Sequence, residues 1–166
     1  MECISQAIVD ETWQTVADLP PEDAAQVMFS FSEAQPNLFG FVLSFAEEME
    51  GEAGELCTYL LYVVYQMFAN ASASPLPMIS DEEIETQYQQ TCQLLQRLHE
   101  LDEDEHTAGM EVEIQHQPHV FQYVSDALFG VDDDEPDDES EISEEDGGEI
   151  FMMMKCVIDA LDEATN

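Results

Sequence analysis

Apolar residues recur with the period of an α-helix along most of the chain, and no segment shows the strict alternation of a half-buried strand. In the first segment, Ile4, Ile8, Trp13 and Val16 lie close to one helical stripe, and the prolines at 20–21 end it. Similar stripes predict seven helices, which begin near residues 2, 22, 36, 55, 81, 118 and 149. The stretch 102–116 is ambiguous. The predicted fold is an all-α, compact helical bundle.

Three features fix individual helices within this pattern. The fourth helix, residues 55–70, is apolar nearly all round, which predicts a central and buried position. The fifth begins with Ser80 and has Glu83 three residues later, the spacing of a capping box. Pro36 and Pro118 stand where proline is favoured, in the first turn of a helix.

The chain contains an internal repeat in two registers. Gln35 and Pro36, with the residues that follow, match Gln117 and Pro118, at an offset of 82 (118 − 36). Downstream, residues 54–56 match 148–150 at an offset of 94 (149 − 55). We interpret this as two pseudo-repeated halves, 1–71 and 80–166, joined by a linker at 72–79 within a single compact domain. The alternative is chance similarity between amphipathic helices.

The difference between the registers, 12 residues (94 − 82), predicts an insertion in the second half. It falls at 131–148, the most acidic segment, and loops accept insertions at small thermodynamic cost. Its carboxylates are the candidate partner-binding residues. They are Asp132, Asp133, Asp134, Glu135, Asp137, Asp138, Glu139, Glu144, Glu145 and Asp146. A merely solvated charge run is the simpler interpretation. No register supplies the glycine of an EF-hand, so loosely bound cations are expected in place of a calcium site.

Charge restricts the partners that the chain can bind. The sequence has 39 acidic residues against two basic ones, Arg97 and Lys155, for a formal net charge of −37. Direct binding to nucleic acid or to an anionic membrane needs basic residues and is therefore not expected. A basic protein surface is the partner that fits, including one that normally binds nucleic acid.

Metal and cofactor chemistry has only weak candidates. His99, His106, His116 and His119 cluster in sequence, but no HxxxH or HExxH spacing is present. We favour ordinary surface or partly buried histidines, and we expect no cofactor. The methionines at 152–154 suggest either copper ligands or an adaptable apolar surface, and core filling is the preferred interpretation.

The sequence offers no enzyme signature. GxxxxGK[ST], GxGxxG and GxSxG are all missing, and two basic residues leave almost nothing to clamp an anionic substrate. The N-terminus has no basic region or cleavage site, so we expect a cytoplasmic protein. Four widely spaced cysteines are predicted to be buried free thiols.

Four functions compete on this basis. We expect first a non-enzymatic acidic protein that binds a basic partner, in its sharpest form by nucleic-acid mimicry. Second is a helical-repeat adaptor, with a groove that takes a partner helix. Third is a housekeeping protein whose acidity is an adaptation to high salt. Last is an enzyme or metalloprotein that uses the histidine region.

Overall fold

The computed structural model describes residues 2–130 and 142–166, and this part of the chain is all-helical. It contains eight helices and no strand. The helices are α1 Gln6–Ala17, α2 Pro21–Ala34, α3 Pro36–Ala46, α4 Glu52–Ala71, α5 Asp81–His99, α6 Glu103–Glu113, α7 Pro118–Phe129 and α8 Glu144–Ala164. The all-α prediction is confirmed.

The count of eight corrects the prediction of about seven helices. The extra element is α6, from the stretch that the apolar pattern left ambiguous. Asp102 caps it, because its side chain accepts a hydrogen bond from Glu105 N at 2.9 Å. None of the residues of α6 is buried. A helix without a buried face leaves no apolar stripe in the sequence, which explains why periodicity missed it.

The last helix begins earlier than predicted. Ser143 caps α8 by accepting a hydrogen bond from Asp146 N at 3.1 Å, so residues 144–148 are helical. The sequence predicts these residues to lie in the inserted loop, and that part of the prediction is wrong. The capping box at Ser80 and Glu83 is confirmed in both of its hydrogen bonds.

The core is organised around α4 and α8, which pack against each other. Helices α1 and α3 lie on α4, and α5 and α7 lie on α8. Helix α3 also contacts α5 and α8, while α7 contacts α1 and α4. Nine residues of α4 are buried, in agreement with its predicted central position. Their burial removes apolar side chains from water, which is the main source of the bundle's stability.

Two buried glutamines tie these layers together. Gln35, 1% exposed, accepts a hydrogen bond from Ile79 N and donates one to Pro77 O. Gln117, 0% exposed, accepts from Ile4 N and donates to Asp162 Oδ1. Gln35 precedes α3 and binds the backbone that leads into α5. Gln117 precedes α7 and binds the backbone that leads into α1.

Within the described residues, none of the helices is long and apolar enough to cross a lipid bilayer.

Candidate functional site

The acidic residues proposed to bind a partner divide into two groups. Seven of them lie outside the described residues: Asp132, Asp133, Asp134, Glu135, Asp137, Asp138 and Glu139. The other three, Glu144, Glu145 and Asp146, form the first turn of α8. Negative side chains are stabilising there, since the N-terminus of a helix carries a partial positive charge. These three acids therefore have a structural role whether or not they contact a partner.

The four histidines do not share a common site. His99 and His106 are exposed, and His119 is half-buried in the first turn of α7. Over residues 2–130 and 142–166, no group of three His, Cys, Asp or Glu side chains is arranged to hold a metal ion.

His116 instead belongs to a compact charged cluster. Its Nε2 lies 3.0 Å from Asp159 Oδ1, and Lys155 Nζ lies 2.6 Å from Asp159 Oδ2. Glu113 Oε2 is 3.9 Å from the same Lys155 Nζ. The close approach of the Asp159 carboxylate raises the pKa of His116 above its usual 6.5, against the opposing effect of partial burial. Lys155 is only 4% exposed, so one of the chain's two basic residues is used internally.

Arg97, the other basic residue, lines the same small cavity of about 280 Å³, together with Glu113, Lys155 and Asp159. Positive charge is therefore concentrated at one place on the molecule, where two carboxylates already balance it. Outside this place the described surface carries no Lys or Arg side chain.

An aromatic cluster joins α2, α3 and α4. Phe31 and Tyr65 are in contact, with ring centroids 4.8 Å apart. Phe31 also packs edge-on against Phe39 and Tyr62. Helix α2 is thus anchored by a buried aromatic ring, whereas α6 has no buried residue.

An apolar groove of about 700 Å³ lies beside α6. Its lining side chains come from α5, α6 and α8 and from the ends of α3 and α7. They include Tyr88, Leu95, Met110, Phe129, Phe151 and Met152. Three of these are large and substantially exposed: Tyr88 at 43%, Leu95 at 40% and Phe129 at 47%. The groove was not predicted as a site, although the methionines at 152–154 had been noted as a possible adaptable surface.

Close approaches between helices shape the walls of the groove. A Cβ at Gly147 would lie 2.8 Å from the ring of Phe129, so only glycine lets that ring rest on α8. A Cβ at Gly109 would lie 2.6 Å from Leu98 Cδ2, so glycine also lets α6 lie close along α5. Helix α6 lies on α5 without burying any of its side chains, and among the described residues Tyr88 and Leu95 of α5 remain substantially exposed.

The two buried thiols of the structure are poorly suited to nucleophilic chemistry. The four cysteines are free, but only Cys57 and Cys156 are buried, whereas Cys3 is exposed and Cys92 half-buried. The prediction of four buried thiols is wrong for those two. Burial raises the pKa of both Cys57 and Cys156 to about 11. Both are protonated at neutral pH, and a thiol reacts as its thiolate.

A comparison of the chain with protein-family models, curated proteins and solved structures finds no match. The function is therefore argued from the chain's own residues.

Proposed function

We propose that this chain is a non-enzymatic acidic protein that binds a basic partner protein. One observation carries the proposal: none of the described acidic residues is fully buried, and Asp159, whose Oδ1 is shielded from solvent, is paired with the buried Lys155. The helical scaffold thus presents negative charge outward and withdraws half of its positive charge. Since the formal net charge is −37, the summed field attracts cationic surfaces over long distances.

The field also gives the interaction a defined physical character. Association with a basic partner is fast and weakens with salt, because mobile ions screen charges beyond a Debye length of about 8 Å at physiological ionic strength. Carboxylates one helical turn apart, such as Glu82 and Glu85 on α5, can stand where phosphates stand on DNA. Mimicry of nucleic acid is the sharpest form of the proposal, and its partner is a protein that binds DNA or RNA.

A pull-down from native lysate tests the proposal. The immobilised chain is washed at low salt and eluted with increasing KCl, and the eluted proteins are identified by mass spectrometry. Beads that carry polyglutamate of the same net charge are the matched control, because they capture any cationic protein. We expect one or a few basic proteins to be enriched on the chain relative to polyglutamate. Duplex DNA added as a competitor should displace them if mimicry is correct.

Two outcomes would count against the proposal. Identical capture by the chain and by polyglutamate would show that the binding depends only on net charge and is not specific. Capture of no basic protein would favour the high-salt housekeeping alternative, in which the acidity serves solvation alone. Stoichiometric zinc or another transition metal in protein purified without an affinity tag would favour the metalloprotein alternative.

The scaffold itself is part of the proposal. We infer that residues 1–71 and 80–166 are two copies of one four-helix unit, related by a pseudo-twofold axis. The support is that Gln35 and Gln117 have nearly the same backbone angles, with φ and ψ of −131° and 61° against −136° and 61°. Each also accepts a hydrogen bond from a distant backbone N–H: Gln35 from Ile79, the last residue of the linker before the second half, and Gln117 from Ile4 of the first half. Chance resemblance of two amphipathic helices would not require this reciprocal connection.

A further inference from the structure

The apolar groove beside α6 is suited to a binding partner with apolar groups. Tyr88, Leu95 and Phe129 are all at least 40% exposed and line the same groove. Single apolar side chains on a surface are ordinary, but a contiguous patch of them marks a binding site. Met110 and Met152 add flexible, polarisable side chains, which adapt to the shape of different apolar partners.

Charge around the groove selects among possible occupants. Glu48 and Glu149 are exposed and line it, and among the described residues no Lys or Arg does. A second copy of the chain is disfavoured, because two molecules of net charge −37 repel each other. An occupant that is apolar on one face and cationic on its flanks satisfies both the groove and its rim.

We infer that this groove binds the apolar face of a basic amphipathic helix of a partner protein. This inference rests on the proposed function and makes it more specific: the carboxylates attract the partner, and the groove selects a helical segment with apolar residues at i, i+3, i+4 and i+7. Helix-in-groove recognition of this kind gains its affinity from apolar burial and its orientation from flanking charge.

Two synthetic peptides of identical composition test the inference. Both contain only leucine and lysine and are about 18 residues long, five helical turns. In the first, leucines occupy one helical face; in the second, the same leucines are spread evenly around the helix. Isothermal titration calorimetry measures the binding of each at low and moderate salt. We expect the amphipathic peptide to bind at least about tenfold more tightly, with the difference retained at moderate salt because apolar burial is not screened.

Variants of the chain locate the binding. The doubly substituted groove variant Leu95→Gln, Met152→Gln should lose about tenfold in affinity for the amphipathic peptide and little for its isomer. The matched control is Phe29→Gln, Met78→Gln, which removes two apolar side chains that are each 61% exposed and lie outside the groove. Circular dichroism and thermal melting establish that both variants are folded, and the control should bind as the unsubstituted chain does.

The failures of the two proposals are distinguishable. Equal affinity for the two peptides, or equal loss in the groove and control variants, would overturn the groove inference and leave the acidic-surface function standing. Binding of neither peptide would overturn both. A neutral apolar dye that binds the unsubstituted chain but not the groove variant, and that the amphipathic peptide does not displace, would assign the groove to a small apolar molecule and overturn the inference.

Discussion

Gln35 and Gln117 occupy equivalent positions, one residue before the prolines that begin α3 and α7, and each side chain holds a distant backbone N–H. The distances are 3.0 Å from Ile79 N to Gln35 Oε1 and 2.9 Å from Ile4 N to Gln117 Oε1. Both side chains are almost fully buried. A buried N–H without an acceptor is costly, so these two amides fix the segments that lead into α5 and α1.

Replacing either glutamine should therefore destabilise the fold to a similar extent. We expect Gln35→Ala and Gln117→Ala each to lower the free energy of unfolding by about 1–3 kcal/mol, because each leaves a buried backbone donor unpaired. Denaturant unfolding followed by circular dichroism measures this. Gln96→Ala, at an exposed position of α5, is the control and should change stability by less than about 0.5 kcal/mol. A loss confined to one of the two buried sites would contradict their equivalence.

The pair of Lys155 and Asp159 should show strong coupling. Lys155→Met leaves the largely buried Asp159 without its closest cation and should cost about 2 kcal/mol or more. The double variant Lys155→Met, Asp159→Asn should cost less than the sum of the single changes, with a coupling energy of about 0.5–3 kcal/mol. A double-mutant cycle by denaturant unfolding provides the measurement, and strict additivity would mean that the pair contributes no interaction energy.

His116 should titrate above the usual range for histidine. The carboxylate of Asp159, 3.0 Å from its Nε2, raises its pKa above 6.5; the charge of Asp162 raises the pKa further, while partial burial and Lys155 lower it. A raised pKa in the folded state means that protonated His116 stabilises the fold. This contribution to the free energy of unfolding is fully present below pH 6.5 and is lost as the pH rises through the raised pKa. NMR titration should give a pKa above 6.5, which falls in Asp159→Asn. The control Asp126→Asn removes an exposed carboxylate of α7 and should leave the titration of His116 unchanged.

Helix α6 should open most readily among the described helices. It has no buried residue, whereas α4 has nine. Hydrogen exchange reports local opening, and segments with few buried apolar contacts open at low free energy. Exchange measured by mass spectrometry should be fastest in α6 and slowest in α4. Protection of α6 equal to that of α4 would show that α6 is held by contacts other than burial.

Stability should rise with ionic strength. Repulsion among 39 carboxylates opposes the compact state, and salt at about 0.5 M shortens the range of that repulsion to a few ångströms. Thermal melts should show a higher melting temperature at moderate KCl than at low KCl, and the protein should be folded at both concentrations. A chain that folds only above about 1 M KCl would instead favour the high-salt adaptation, since screening at a few tenths molar already removes most of the repulsion.

The local pattern of residues was sufficient for most of the helices. Pro36, Pro118 and the Ser80–Glu83 capping box begin helices where expected, because a fixed φ angle and hydrogen bonds between residues three apart depend only on neighbours in sequence. The apolar residues of α4 likewise fixed its buried position. By contrast, the acids at 144–146 were assigned to a loop, since a helix start without an apolar stripe resembles a charge run.

Only the tertiary structure decided which side chains meet across the bundle. His116 is brought to Asp159 by the packing of the segment after α6 against α8, and no spacing in the sequence marks these two as partners. Lys155 and Asp159, by contrast, are neighbours one turn apart on α8. The groove lies where α6 packs on α5 without burying any of its side chains. Sequence determined where helices begin and which faces are apolar, because these are local properties. Which helices pack against each apolar face, and which apolar side chains stay exposed, depends on the packing of the whole chain.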